Sequence, residues 1–284
     1  MPADLAFLII AHHQPAHLGR LIRALDDPRH FFFVHIDRKV ALEPFRAAVG
    51  ELRNVVFMPE RVEVEWAKLG VVQATLEAIR EAADSGRIFS RYTLLSGSDY
   101  PIKHKSLIHK RLTEAGGEFL RIDRKLTLAP EDTHRRVLRD LPDGRYFADF
   151  SAFHGSMFWS LSAACVRFVL DFVDANPAYL DIHGHVVAPD EVFFHSLLKR
   201  SPFAGAISQD FSDGVHPDHT HHANHFIDWP NFNRRKLVLE TRDFDALLAS
   251  DALFARKFDE RRSRHLLDML DREVHADPRD APST

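Results

Sequence analysis

A chain of 284 residues with 45% hydrophobic content is long enough to bury a sizeable core. Its 37 basic and 41 acidic residues leave a formal charge of -4, which excludes a general electrostatic attraction to nucleic acid or anionic lipid and leaves the basic residues to act locally. The lone cysteine, Cys165, excludes an intrachain disulfide and a Cys-rich zinc site, and it fits a reducing compartment.

Taken in chain order, the first element is the apolar run Leu5 to Ala11. It is too short for a signal sequence or a membrane span and has no basic flank, so it reads as a buried first strand. The expected location is the cytoplasm, with at most a loose association with the inner membrane. Pro15 follows, then Leu18, Leu21, Ile22 and Leu25 at helical spacing, then a second strand-like run from Phe31 to Ile36; this is a β-α-β unit. A strand over Val55 to Met58, a helix over about Gly70 to Ala83 and a strand over Tyr92 to Leu95 continue the alternation of a mostly parallel α/β sheet. The second half predicts a strand over Met157 to Leu161 and helices over Ala163 to Val173, Asp190 to Leu198, Phe244 to Ser250 and Arg261 to Arg272. The polar stretch from His275 to Thr284 reads as a frayed tail.

Ligands of such a sheet gather beyond the carboxyl ends of its strands. The polar residues there are Ala11-His12-His13-Gln14 after the first strand, His35-Ile36-Asp37-Arg38-Lys39 after the second, and Ser96-Gly97-Ser98-Asp99-Tyr100-Pro101 after the fourth. Asp37 and Asp99 at such places equally suit turn or helix capping.

Five segments carry a family resemblance. They are Phe7-Leu8-Ile9-Ile10-Ala11-His12, Val34-His35-Ile36-Asp37-Arg38-Lys39, Leu94-Leu95-Ser96-Gly97-Ser98-Asp99-Tyr100-Pro101-Ile102-Lys103, Pro189-Asp190-Glu191 and Phe254-Ala255-Arg256-Lys257-Phe258-Asp259. In this order and spacing the chain resembles the core-2/I-branching N-acetylglucosaminyltransferase and peptide O-xylosyltransferase family. The resemblance implies a GT-A fold as one catalytic domain over 1–274, with a nucleotide-binding half over about 1–125 and an acceptor and catalytic half over about 126–274. It further implies inverting transfer of N-acetylglucosamine or xylose from a UDP-sugar to a hydroxyl of a glycan, lipid-linked or protein acceptor.

Under that reading Glu191 is the base that removes the acceptor proton, with Asp190 beside it on the acceptor side. The plain alternative is that both acids merely favour a helix terminus. Most GT-A enzymes hold a metal on an Asp-x-Asp motif, but Ser98-Asp99-Tyr100 offers one carboxylate and Asp243-Phe244-Asp245 reads as a cap. The resemblance implies basic side chains instead of metal: Lys257 from the last segment, and a second cation about two dozen residues earlier, Arg234 or Lys236. No cofactor is therefore expected. Asp37 is expected on the uridine, the backbone of Ala11 and His12 at the base pocket, and Asp99 and Tyr100 near the sugar. Trp159 offers an aromatic face to a sugar ring or, equally, packs in the core.

His216, His219, His221, His222 and His225 form a dense cluster around Pro217. A metal-dependent hydrolase is the rival this suggests, although no His-Glu-x-x-His helix accompanies it, and a solvated or acceptor-facing loop is the expectation. A non-catalytic nucleotide- or carbohydrate-binding protein of the same fold is the third reading.

Overall fold

The computed structural model describes residues 4–127, 129, 134–138, 151–213, 220–231 and 237–276. Its centre is strand β1 (Asp4–Ala11), flanked in parallel by β2 (His30–Ile36) and β4 (Phe89–Ser96), with β3 (Val55–Phe57) beyond β2. From Leu5 onward β1 is apolar because both of its faces are covered: Leu5, Phe7, Ile9 and Ala11 enter one buried cluster, and Ala6, Leu8 and Ile10 the other. Helix α1 (Pro15–Leu25) packs Leu18, Leu21, Ile22 and Leu25 on the first face, and α3 (Gly70–Asp84), which follows the short α2 (Glu43–Val49), packs Val72, Leu76 and Ile79 on the second.

With strand order β3-β2-β1-β4 and crossover helices on opposite faces, the chain reverses direction across the sheet between β1 and β4. Such a reversal opens a crevice at the strand carboxyl ends. The register brings those ends level, pairing Ala11 with Ile36 and Ile10 with Ser96. Gly97 is required at that edge, since a Cβ there would lie 2.6 Å from the Ala11 Cβ.

The rest of the large sheet is joined to this unit by antiparallel pairings. β4 pairs with β8 (Ser160–Ser162), β8 with β6 (Glu118–Lys125), and β6 with β7 (Phe153–Gly155). β9 (Ile207–Asp210) runs parallel to β6. A second sheet follows the order β10 (His221–His222), β11 (His225–Ile227), β12 (Phe254–Arg256), β5 (Asp99–Pro101). It folds the last third of the chain back onto the end of β4. Helices α4 (Lys105–Glu114), α5 (Ala163–Ala175), α6 (Pro177–His183), α7 (Phe193–Leu198), α8 (Phe244–Ala249) and α9 (Arg264–Leu270) complete the layers.

Three sequence expectations are corrected. The strand read over Met157 to Leu161 is instead the end of a β7-loop-β8 passage: Phe158 and Trp159 are apolar because they fill different clusters, not because they lie on one ladder. The helix read from Asp190 to Leu198 is broken. Pro189–Glu191 form a single 3-10 turn, and Val192, at φ -127 and ψ -39, separates it from α7. Glu191 therefore precedes α7 instead of lying in its first turn. Finally, His275 is not frayed; it ends a π-helical turn over Asp271–His275, and its Nε2 lies 2.9 Å from the Pro101 carbonyl. Residues 277–284 of the expected tail lie outside the described residues.

Candidate active site

The first wall of the site is the strand edge at β1 and β2. The Asp37 amide donates to the Ala11 carbonyl at 2.9 Å, which closes β2 against β1. The Asp37 carboxylate is 4% exposed; its Oδ1 accepts the Lys39 amide at 2.9 Å, and Oδ2 lies 3.5 Å from the Lys39 ammonium. The turn-capping role of an aspartate at a strand end is thus present. His12 and His13 lie exposed beside it with rings stacked at 4.3 Å. Partial desolvation of the ring holds the His12 imidazole below its ordinary value, with Asp37 opposing and Lys257 and Lys39 adding to the shift. One neighbourhood thus holds His12, Asp37 and Lys257.

Lys257 reaches that neighbourhood because the segment after β12 is tied down on three sides. The Phe258 amide donates to the Ser98 carbonyl, Gln14 bonds both the Phe258 carbonyl and the Glu260 amide, and the Lys257 amide donates to Leu237. The ammonium itself makes no hydrogen bond or ion pair among the described residues. Desolvation and then the neighbouring Arg256 hold it below its ordinary value.

Arg256 is the residue that reading the sequence missed. The β12 to β5 register sets it directly opposite Asp99, with Nε 3.2 Å from Oδ1 and the guanidinium 4.3 Å from the Phe158 ring. Asp99 is fully buried and also accepts the Ser96 amide at 2.7 Å and hydroxyl at 2.6 Å, with His225 Nε2 3.4 Å away. Burying a lone carboxylate costs several kcal/mol. Here burial would raise its pKa, but Arg256, His225 and Ser96 together overcome this and hold it low. Asp99 therefore anchors Arg256, and its contacts are used up within the protein instead of lying open toward a sugar as expected.

The field of Arg256 reaches the second wall, because Asp190 and Glu191 both act on its guanidinium. Glu191 Oε2 lies 3.0 Å from Nε2 of His154 on β7. Its neighbour Asp190 has a carboxyl pushed up to about 7, first by burial and then by the adjoining Glu191. A carboxyl whose proton affinity is raised beside a second acid is a recurrent feature of acid-base sites. His154 carried no local signal in the sequence. Gly155 after it is required, because a Cβ would meet the Arg121 carbonyl at 1.9 Å and the His195 ring at 2.7 Å.

Other expected residues lie elsewhere. Tyr100 is 0% exposed; it packs on His17 and Phe258, and its hydroxyl donates to Asp271. Trp159 is 1% exposed and packs on Phe194, so neither aromatic presents a face to a sugar. Both are core residues, because β5 and the chain entering β8 turn them inward. Arg234 and Lys236 lie outside the described residues, as do His216 and His219. The rest of the histidine cluster is not a solvated loop: His221 and His222 pair with Phe226 and His225 in a hairpin that buries His225 against Asp99. Among the described residues, no three His, Cys, Asp or Glu side chains converge as a metal-ligating group. No described helix is long and apolar enough to cross a membrane.

A mostly parallel sheet with a switch point, flanked by helices and joined at the end of β4 by a small second sheet, is the α/β architecture that the resemblance implies. The chain belongs to the Core-2/I-branching enzyme family, whose profile matches residues 5–241. Xylosyltransferase 2 of Mus musculus is 22% identical over 297 residues, which cover 95% of this chain and 33% of that protein. The beta-1,3-galactosyl-O-glycosyl-glycoprotein beta-1,6-N-acetylglucosaminyltransferase of Bos taurus is 23% identical over 283 residues, covering 90% of this chain and 66% of that protein. The chain thus spans between a third and two thirds of the length of these relatives. A solved galactosyltransferase, LgtC with donor and acceptor sugar analogs, aligns over 96% of this chain and 97% of its own at a TM-score of 0.45 and 11% identity.

Proposed function

We propose that this protein is an inverting glycosyltransferase that moves a sugar, N-acetylglucosamine or xylose, from UDP to a hydroxyl of a glycan, lipid-linked or protein acceptor. What carries the reading is the geometry around Arg256: its Nε lies 3.2 Å from Asp99 Oδ1, Lys257 follows it in the chain, and Glu191, which His154 meets at 3.0 Å, contributes to the field at its guanidinium. Family membership and the activities named for the relatives support the two sugars.

In this mechanism Glu191 accepts the acceptor hydroxyl proton as the oxygen attacks the anomeric carbon. The bond from that carbon to UDP breaks, and its electron pair leaves on the β-phosphate oxygen. Lys257 and Arg256 stabilise that charge as fixed cations in a partly dry cleft, in the role a divalent metal plays in other transferases. Asp37 holds the nucleoside at the end of β2, against the backbone of Ala11 and His12.

The test is a calorimetric titration of UDP and uridine, with and without chelator, alongside UDP release and product analysis with UDP-N-acetylglucosamine and UDP-xylose. Expected are transfer with inversion from one of these donors, UDP affinity that chelator leaves within a few-fold, and similar losses for UDP and uridine in Asp37→Ala. A hundredfold loss of affinity on removing metal, about 2.7 kcal/mol, defeats the metal-independent mechanism. If neither donor binds or turns over, the transferase reading fails.

A further inference from the structure

Only one oxygen of Glu191 is engaged. Oε2 meets His154 Nε2 at 3.0 Å, while Oε1 makes no hydrogen bond to any described residue. The two side chains are 34% and 19% exposed, so the pair lies at the cleft wall and not in the core. The second ring nitrogen of His154, Nδ1, is buried with no hydrogen-bond partner among the described residues.

These facts select a tautomer. A proton on Nδ1 would be a buried donor without an acceptor, a loss of about 1–3 kcal/mol, whereas a proton on Nε2 points at a carboxylate. Neutral His154 therefore donates its Nε2–H to Glu191. The strand that carries the ring is fixed by its neighbours. The Phe153 amide donates to Ser196 Oγ at 2.9 Å, the Ser156 amide donates to the Arg121 carbonyl at 3.2 Å, and Gly155 lets β7 lie close on β6. Val192 breaks the turn from α7, so no helical ladder orients the Glu191 side chain. His154 supplies that constraint.

We propose that His154 is the positioning residue of the catalytic base, fixing Oε2 of Glu191 so that Oε1 faces the acceptor hydroxyl; the inference rests on Glu191 being the base. In the transfer step the hydroxyl proton passes to Oε1, the acceptor oxygen forms the bond to the anomeric carbon, and the old carbon–oxygen pair departs with UDP. His154 keeps its proton throughout. The groups that face this pair are Asp190 on the same turn, His195 on α7, Asp123 on β6, Arg256 on β12 and His134, whose ring lies 6.1 Å from that of His154.

The experiment compares wild type, His154→Ala, His154→Gln and Glu191→Gln for UDP release from UDP-xylose and UDP-N-acetylglucosamine with water as acceptor, for UDP affinity, and across pH. His154→Ala should lower kcat by about ten- to hundredfold, the value of one hydrogen bond to a charged group, with UDP affinity unchanged. The acid limb of its pH–rate profile should move to higher pH, because the ionised carboxylate has lost a donor. Gln places an amide N–H near the position of Nε2 and should restore activity to within about threefold of wild type. Nitrogen-15 spectra of the wild-type ring should show the Nε2–H tautomer near neutral pH.

An Nδ1–H ring, an unmoved acid limb in His154→Ala, or equal damage in the Ala and Gln variants overturns the positioning role. Inactive Glu191→Gln beside those results leaves the base assignment standing. Near-normal turnover of Glu191→Gln, or no wild-type turnover with either donor, overturns the base itself. Should His154→Ala fail to fold by circular dichroism, the Gln variant and the ring spectrum decide.

Discussion

Lys257 and Arg256 are adjacent in sequence and differ in how the protein treats them. Arg256 is held by Asp99 across a strand register and lies over Phe158, whereas the Lys257 ammonium has no hydrogen bond or ion pair among the described residues, although its backbone is bonded on both sides. The same contrast separates the two walls of the site. On the wall of Glu191, Asp190 and His154, Glu191 is already hydrogen-bonded to His154, and Asp190 lies beside it. On the wall at the ends of β1 and β2, Lys257, His12 and His13 are exposed and make few internal contacts. A group fixed in advance loses little on reaching the transition state, and one left open can gain a partner from the ligand.

The sharpest way to break this comparison is Asp99→Ala. It removes the partner of Arg256, whose side chain is only 15% exposed, together with the acceptor for Ser96 and the neighbour of His225, and it should cost about 3–5 kcal/mol of stability. Chemical denaturation would measure it; a loss under about 1 kcal/mol would mean that Arg256 finds another partner and is not preset. Lys257→Ala should do the opposite. Its effect on stability should stay within about 0.5 kcal/mol, while UDP affinity falls about ten- to hundredfold. Should unfolding suffer and binding not, the open cation belongs to the fold and leaving-group stabilisation must move elsewhere.

The smallest expected effect concerns Asp190, and its sign is informative. The folded carboxyl titrates near 7, above its unfolded value, so between about pH 4 and pH 7 the folded chain keeps a proton that the unfolded chain has released. Ionised Asp190 therefore subtracts stability as pH rises through that window. Asp190→Asn should raise the Tm by about 1–3 °C at pH 8, a figure discounted for partial exposure, and leave it unchanged near pH 4. Thermal scans at the two pH values check this, and a lower Tm at pH 8 would show the charge to be paired, not strained.

The parallel half of the fold was legible in the sequence because β1 is apolar on both faces from Leu5 onward, β2 nearly so, and α1 and α3 repeat their apolar residues at helical spacing. Asp37 was legible as a carboxylate at a strand end. The antiparallel half was not, since Phe158 and Trp159 are apolar for two different neighbours and mimic a strand. Tyr100 and Trp159 show a similar limit: an aromatic inside a recognisable segment does not reveal which way it points. Arg256 stood in a segment already singled out, yet its importance comes from a register with Asp99 that no local pattern encodes. His154 precedes a glycine whose own constraint, contact with β6, exists only after folding.

The central claim is that the two walls divide the labour, Glu191 acting on the acceptor and the cations on the departing nucleotide. Glu191→Gln tests it most directly, because the change keeps size and polarity and removes only the base. Turnover with a working donor and acceptor and calorimetry with UDP would be measured on the folded variant. The account predicts that transfer falls about a hundredfold to ten-thousandfold while UDP affinity stays within about twofold of wild type. Near-normal turnover, or a loss of UDP binding that accounts for the lost rate, would contradict it.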